Sequence, residues 1–211
     1  MKVKVCGMRD PGNIAEVAAL EPDYMGFILF DRSPRYASAT PGGALRHLPE
    51  SICKVGVFVD ATCDAVYEAV ARWRFDAVQL HGVETPELCA AVRKLCPVIK
   101  AIWVASERAA PVAPVVGLYA DSVDYLLFDT HTPNYGGSGR QFDWDVLDDY
   151  DGAKPFFLGG GVGPKDAERI NAVKISSLHA VDLNSRFETA PGIKDAAALA
   201  KFIKSVRYEQ D

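Results

Sequence analysis

Residues 53–81 read CKVGVFVDATCDAVYEAVARWRFDAVQLH. Two short apolar runs, CKVGVFV and AVQLH, enclose a segment in which Val66, Val70 and Trp73 recur at helical spacing. Apolar runs that alternate with helical segments are typical of parallel strands joined by crossover helices. The stretch therefore predicts one strand–helix–strand unit, and the rest of the chain repeats the pattern.

Six further apolar runs complete the series. They are KVKVCG from Lys2, YMGFILF from Tyr24, VIKAIWV from Val98, YLLFDT from Tyr125, PFFLGG from Pro155 and AVDLNS from Ala180. Eight strands in 211 residues predict an α/β fold, a single-domain (β/α)8 TIM barrel over residues 1–211. The fifth unit is irregular, because Pro111, Pro114 and Gly117 interrupt its helix, and we expect a short or broken helix there.

The helix ends carry recognisable signals. Asp10 and Thr85 each precede a proline and an apolar stripe, which predicts two N-caps with proline in the first turn. Near the other end of the chain, Leu199, Phe202 and Val206 share one helical face, which predicts a last helix that closes the barrel.

Composition and charge argue against several classes of partner and site. A net charge of −5 without a basic block argues against nucleic acid and anionic membranes, and no apolar stretch reaches the ~20 residues that cross a bilayer. The five cysteines form no CxxC pair and the four histidines form no metal motif. We expect a cytoplasmic protein with reduced thiols and no metal.

Chemically useful residues follow the predicted strands. Because the carboxyl ends of parallel barrel strands face a common mouth, one set of polar groups is expected to converge there. The set is Cys6, His81, Asp129, Gly160, Asp182 and Asn184. The sequence therefore predicts one polar site at the C-terminal mouth.

Two members of this set suit proton transfer. A lone strand cysteine is usually a small buried hydrophobe, but a thiol at a strand end facing a substrate pocket could transfer protons, as Cys6 would. A carboxyl group that emerges from an apolar run, as Asp129 does, can donate a proton, with helix capping or a structural hydrogen bond as the alternative. The two form a candidate base and acid pair.

Three other residues keep two interpretations each. Arg35 is either a solvated surface charge or, if it turns toward the mouth, a planar guanidinium that binds a substrate carboxylate. His81 either orients substrate or hydrogen-bonds a backbone carbonyl, which we favour. Asp182 either holds substrate hydroxyls or pairs with a neighbouring side chain.

The segment GGGVGPKD from Gly159 is a candidate phosphate loop. Glycines such as Gly160 and Gly161 allow close backbone approach, and Pro164 is expected at a helix start. A tight turn is the alternative. Asn184, Ser185 and Arg186 follow the eighth strand, and the loops after strands seven and eight recurrently bind phosphate in this fold. We therefore favour phosphate.

Several motifs together resemble phosphoribosylanthranilate isomerase over essentially the whole chain. The resemblance is carried by KVCGM at 4–8, GFILFDRSPRY at 26–36, KVGVFV at 54–59, VQLHG at 78–82, LLFDT at 126–130, GGSGRQFDW at 136–144, GGGV at 159–162, and VDLNS with PGIKD between 181 and 195. It implies a cofactor-free Amadori rearrangement of N-(5-phosphoribosyl)anthranilate to the 1-amino-1-deoxyribulose 5-phosphate in tryptophan biosynthesis, with a phosphorylated small molecule as partner.

The resemblance also implies roles. Asp129 would be the general acid that opens the ribose ring, and Cys6 the general base at C2. Arg35 would hold the anthranilate carboxylate, Asp182 the ribose hydroxyls or the amine, and His81 would contact substrate. The phosphate-binding set would be Gly137, Ser138, Gly160, Gly161, Asn184, Ser185 and Arg186.

One departure from the family pattern lies after strand eight. The family commonly has a glycine and a small residue after the serine, whereas this chain has Arg186 and Phe187. A position that needs φ > 0 would strain arginine. The alternative, which we favour, is an added guanidinium contact to phosphate.

Two other functions stay open at this point. A related (β/α)8 isomerase of histidine biosynthesis would be expected to carry an aspartate where this chain has Cys6. A non-catalytic phosphate-binding barrel would need neither Cys6 nor Asp129. The oligomeric state, monomer or homodimer, does not follow from the sequence.

Overall fold

The computed structural model describes residues 1–37, 45–105, 112–130, 141–147, 150 and 152–208. Eight parallel strands pair in chain order and close into a barrel, because β1 also pairs with β8. The strands are β1 Lys2–Val5, β2 Tyr24–Ile28, β3 Cys53–Phe58, β4 Ala77–Leu80, β5 Val98–Val104, β6 Tyr125–Thr130, β7 Phe156–Leu158 and β8 Leu178–Leu183. The predicted (β/α)8 barrel is confirmed.

Helices cover the outside of the barrel. They are α1 Pro11–Ala18, α2 Cys63–Trp73, α3 Pro86–Arg93, α4 Ala113–Tyr119, α5 Ala167–Ala172 and α6 Ala196–Tyr208. The predicted caps are confirmed, since Asp10 accepts a hydrogen bond from the Asn13 amide and Thr85 from the Leu88 amide. Helix α4 is seven residues long, which agrees with the short helix expected in the fifth unit.

Two units depart from the regular pattern. After β6, the described residues contain only a short 3-10 helix, Trp144–Leu147, in place of a full α-helix. After β8, a 3-10 turn at Ser185–Phe187 leads into an antiparallel hairpin of β9 Glu188–Ala190 and β10 Ile193–Lys194. The sequence pattern did not predict this hairpin, which precedes the closing helix α6 and lies beside the C-terminal mouth.

Apolar side chains fill the barrel interior. Val55, Val57, Leu127, Phe157 and Ala180 are at most 3% exposed and pack together below the C-terminal mouth. A second, larger cluster joins the outer faces of the strands to the helices. The inner cluster closes the lower part of the barrel.

The base of the barrel, at the N-terminal ends of the strands, is closed by Tyr24, Tyr125 and His179. The Tyr24 hydroxyl lies 2.7 Å from His179 Nε2, and the His179 ring lies 4.7 Å from the Tyr125 ring. Burial raises the pKa of Tyr24, so the phenol keeps its proton, and its hydroxyl shares with His179 a hydrogen bond whose direction depends on the histidine tautomer.

Candidate active site

The C-terminal mouth brings together the polar residues that follow the strands. Cys6 directly follows β1, His81 directly follows β4, and Asp129 and Asp182 lie within the last two residues of β6 and β8. The described part of the mouth is thus lined by a thiol, an imidazole and two carboxyl groups. The convergence predicted from strand ends alone is present.

Asp129 is held by one hydrogen bond and by a close contact to an imidazole. Its Oδ1 accepts the Thr130 amide at 2.7 Å, and its Oδ2 lies 3.1 Å from His81 Nε2. The side chain keeps 18% of its surface exposed toward the mouth. The carboxyl group is therefore oriented by protein contacts and still accessible to a ligand, as a proton donor must be.

Among the described residues, no backbone carbonyl accepts a hydrogen bond from the His81 ring, which contradicts the interpretation favoured from sequence. Its Nδ1 lies 2.6 Å from the Gln79 side-chain amide, and its Nε2 faces Asp129. The Trp103 ring packs edge-on at 4.7 Å. Because Gln79 and His81 share one inward face of the strand, the amide fixes the ring that in turn fixes Asp129.

Cys6 is almost completely buried, with 3% of its surface exposed. It lies close to Gly26 on β2, since a Cβ at that glycine would stand 2.7 Å from the sulfur. Burial raises the pKa of the Cys6 thiol, while the Lys4 and Lys194 ammonium groups act in the opposite direction. Cys6 therefore fits both interpretations. It is buried, as expected of a strand cysteine, and it is an ionisable group with charged neighbours.

Asp182 pairs with Lys4 on the neighbouring strand. The Lys4 Nζ lies 2.8 Å from Asp182 Oδ1, and β1 and β8 are in register at these two residues. Burial raises the pKa of Asp182, and Lys4 opposes that rise. The structure therefore favours the side-chain pairing that the sequence left open, although 10% of the side chain stays exposed at the mouth.

Arg35 is not a solvated surface charge, because it is 8% exposed and its guanidinium is hydrogen-bonded to Glu188 of β9. Nε donates to both carboxylate oxygens at 2.9 and 3.0 Å, and Nη2 donates to Oε2 at 2.7 Å. Burial alone would raise the pKa of Glu188, but the bonds from Arg35 and Lys194 outweigh it and lower the pKa. Glu188 occupies one edge of the guanidinium.

Lys194 of β10 links this pair to the eighth-strand loop. Its Nζ lies 2.6 Å from Glu188 Oε1 and 2.7 Å from Asn184 Oδ1. Its backbone is fixed by Asn13 of α1, which accepts from the Lys194 amide and donates to its carbonyl. The hairpin thus ties Arg35, Asn184 and α1 into one rigid corner of the mouth.

The candidate phosphate residues lie on adjacent loops where the structure describes them. Gly160 and Gly161 follow β7 with φ of +74° and +75°, a conformation that favours glycine. Arg186 lies beside that loop, since a Cβ at Gly163 would stand 3.0 Å from its Nε. Ser185 and Arg186 form the 3-10 turn that follows Asn184. Gly137 and Ser138 lie outside the described residues.

Two sequence expectations about these loops are settled by the backbone. Pro164 does not start a helix, because it lies in a turn and α5 begins at Ala167. Arg186 is not strained, since Glu21, Asp60 and Arg74 are the non-glycine residues with positive φ in the described chain. The strain alternative for Arg186 is therefore wrong.

Sequence reasoning missed four residues that lie at the mouth or directly beneath it. They are Lys4, Gln79, Glu188 and Lys194. Lys4 and Gln79 could have been found from the two-residue period of a strand, because they share a face with Cys6 and His81. Glu188 gave no local signal, since its partner Arg35 is 153 residues away in the chain. Lys194 contacts Glu188 and Asn184 through a hairpin that the sequence pattern did not predict.

A family model for N-(5'-phosphoribosyl)anthranilate isomerase matches residues 3–205. The chain belongs to the phosphoribosylanthranilate isomerase family. An isomerase of that name from Parabacteroides distasonis is 42% identical over 99% of this chain and 94% of its own length, and one from Phocaeicola vulgatus is 40% identical over 99% of both.

Solved phosphoribosylanthranilate isomerases share the fold. The Thermotoga maritima enzyme superposes with a TM-score of 0.83 at 32% identity over 98% of both chains. A phosphoribosylanthranilate isomerase in complex with reduced 1-(o-carboxyphenylamino)-1-deoxyribulose 5-phosphate gives a TM-score of 0.81 at 29% identity over 98% of both chains. These matches favour neither the histidine-pathway isomerase nor a non-catalytic barrel.

No three His, Cys, Asp or Glu side chains in the described ranges are grouped so that they could hold a metal ion. Among the same residues, every helix is too short or too polar to span a bilayer.

Proposed function

We propose that this chain, as a phosphoribosylanthranilate isomerase of tryptophan biosynthesis, performs its Amadori rearrangement with Asp129 as general acid and Cys6 as general base. The observation that carries the proposal is the presence of both groups at one barrel mouth in a chain that matches the family over residues 3–205. Simple binding of a phosphorylated ligand would need neither group.

In the first step, Asp129 gives its proton to the ribose ring oxygen as the bond from that oxygen to C1 breaks. The nitrogen lone pair forms the C1–N double bond of a protonated Schiff base. The contacts from His81 and the Thr130 amide support this role, because they orient the carboxyl group without enclosing it.

In the second step, Cys6 as a thiolate takes the proton from C2. The C–H electron pair forms the C1–C2 double bond, and the C1–N π electrons return to nitrogen, which gives an enolamine. The C2 hydroxyl proton then moves to C1 as the ketone forms. Each positioned proton transfer contributes roughly 10²- to 10⁴-fold to the rate.

The other mouth residues would bind the substrate. Arg35 would hold the anthranilate carboxylate with the edge that Glu188 leaves open, since guanidinium groups suit planar carboxylates. Asp182 and His81 would contact ribose hydroxyls or the amine. Gly160, Gly161, Asn184, Ser185 and Arg186, with Gly137 and Ser138, would bind the phosphate.

The test is turnover of phosphoribosylanthranilate formed in situ from anthranilate and phosphoribosyl pyrophosphate by the upstream transferase. The loss of its fluorescence is followed for wild type, Asp129→Asn and Cys6→Ala. We expect each variant to lose roughly 10²- to 10⁴-fold in kcat while it keeps product affinity. Asp64→Asn, an exposed carboxyl on α2, is the matched control and should stay active.

The possible results separate the assignments. Near-normal turnover by either variant would show that its assigned role is wrong while leaving the isomerase activity intact. No turnover by folded wild type would contradict the activity itself and would favour a protein that binds the phosphorylated ligand without turnover.

The cellular setting is also part of the proposal. A phosphorylated small molecule as partner and a cytoplasmic location fit a biosynthetic isomerase with five unpaired cysteines. A Thermotoga maritima relative is described as a dimeric phosphoribosylanthranilate isomerase from which monomers were made. Light scattering of the purified chain would distinguish a monomer from a homodimer.

A further inference from the structure

The charged side chains around Cys6 form one connected network. Lys4 pairs with Asp182 at 2.8 Å, and Glu188 is shared between Lys194 at 2.6 Å and Arg35 at 2.7 Å. Within this network, the Lys4 and Lys194 ammonium groups favour ionisation of the Cys6 thiol, and the Asp182 carboxylate opposes it.

Lys4 is the cation best placed to act on that thiol. It precedes Cys6 by two residues, so both side chains point into the barrel from the same strand face. Its side chain is completely buried, its ammonium donates to Asp182 Oδ1 at 2.8 Å, and its charge favours ionisation of the Cys6 thiol. A buried lysine is costly unless it is paired, and Asp182 is the ion-pair partner of this one.

We infer that Lys4 is a positioning residue for the thiol base, and that its buried ammonium stabilises Cys6 as a thiolate beside the reacting carbon. The inference rests on the role proposed above for Cys6. It adds a function for a residue that the acid–base steps themselves do not use, because Lys4 lies beneath the mouth and acts only through its neighbours.

The groups that face this pair act in opposite directions. Burial raises the pKa of the Cys6 thiol, Lys4 and Lys194 lower it, and the Asp182 carboxylate raises it again. Asp182 itself faces Asp129 of β6 and His81 beside β4. Burial alone would lower the pKa of Lys4, but Asp182 and Cys6 outweigh it and the pKa is raised, so the ammonium stays charged.

The test measures the ionisation of Cys6 directly. Iodoacetamide alkylation is followed against pH, and labelled peptides are resolved by mass spectrometry so that Cys6 is separated from the other four cysteines. Four proteins are compared: wild type, Lys4→Met, Asp182→Asn and the double variant. Cys89, which is fully buried, reports any unfolding in the same samples.

The decisive comparison is Asp182→Asn against the double variant, because neither leaves an unpaired carboxylate beside the thiol. If Lys4 stabilises the thiolate, the double variant should label Cys6 at least about tenfold more slowly near neutral pH, a shift of about one unit in the midpoint. Equal midpoints would overturn the inference and leave Lys4 as a partner for Asp182 only.

Activity and a matched lysine give independent readouts. Lys4→Met should lower kcat and move the limb of the pH–rate profile assigned to the base to higher pH, with product affinity kept, and Lys4→Arg should restore part of kcat.

Lys100→Met is the control, since it removes another buried ammonium, paired with Glu84 at 3.0 Å and outside the Cys6 network. Its Cys6 labelling midpoint should equal that of wild type, and a matching shift would contradict a direct effect of Lys4.

The two proposals fail in different ways. If Cys6→Ser stays active, Cys6 is not the base, but the labelling comparison still measures whether Lys4 stabilises its thiolate. If Cys6→Ser is inactive and the Cys6 labelling midpoints of Asp182→Asn and the double variant coincide, the assignment of Cys6 as base is kept and the role of Lys4 is wrong.

Discussion

Arg186 stands where the resemblance to the family implied a glycine. Its guanidinium lies beside the β7 loop at Gly163, and its backbone is unstrained. Its neighbour Phe187 is buried against Phe202, with ring centroids 5.0 Å apart. Replacing both residues would therefore damage the core, and a single substitution is the informative one.

We expect Arg186→Gly and Arg186→Met each to raise KM for phosphoribosylanthranilate roughly tenfold, the equivalent of about 1.5 kcal/mol for a hydrogen bond to a charged group. The physical reason is the loss of one donor to the phosphate, so kcat should change little. Steady-state kinetics check this, with Arg72→Met on the exposed face of α2 as control. An unchanged KM in both variants would contradict the phosphate contact.

At the scale of elements, the β9–β10 hairpin is the structure that fixes Arg35. The Glu188 carboxylate accepts hydrogen bonds from the Arg35 guanidinium and from the Lys194 ammonium. The Asn13 side chain on α1 accepts from the Lys194 backbone amide. A guanidinium held in this way loses little conformational freedom when it takes a second carboxylate. The hairpin should therefore contribute to affinity for the anthranilate end of the ligand.

Glu188→Gln tests this role of the hairpin. The variant should weaken binding of the carboxylated product roughly tenfold or more, since it removes a charge-assisted contact to Arg35. Affinity for the analogue that carries aniline in place of anthranilate should change much less. Calorimetric titration of both ligands measures the difference, and Thr189→Ala in the same hairpin is the control. Equal losses for the two ligands would show a general disturbance of the mouth instead.

For the whole molecule, the base of the barrel predicts a pH dependence of stability. Burial and the nearby Lys2 lower the pKa of His179. The unfolded chain therefore binds the proton first as pH falls through about 6.5. The contribution of His179 to stability is present above that pH and is lost as pH falls through the folded-state value.

His179→Gln should reduce this pH dependence, because a glutamine amide can still donate to the Tyr24 hydroxyl or accept from it but does not titrate. Urea unfolding of both proteins between about pH 8 and about pH 5 gives the free energy of unfolding at each pH. The wild type should lose more stability on acidification than the variant. Parallel curves would show that His179 is equally ready to take up a proton in the folded and unfolded states.

The whole barrel and much of its mouth were predictable from sequence, for reasons that particular residues show. Cys6 and Asp129 were found because strand ends in a parallel barrel share one face, which is a local rule. The contact between His81 and Asp129 was not predictable, since the two side chains meet across the barrel mouth and come from different strands. The Arg35–Glu188 pair joins residues 153 positions apart, and no local pattern encodes such a contact.

The pairing of β1 with β8, and of Asn13 with Lys194 across 181 positions, has a consequence for synthesis in the cell. A ribosome delivers Lys4 and Cys6 early and Asp182, Glu188 and Lys194 last, so a nascent chain holds the thiol beside Lys4 but without the ionic groups that the last strand and the hairpin supply. Domains generally fold as units during synthesis. Until its final strand and hairpin emerge, the growing polypeptide has an open sheet edge at β1 and no working catalytic centre.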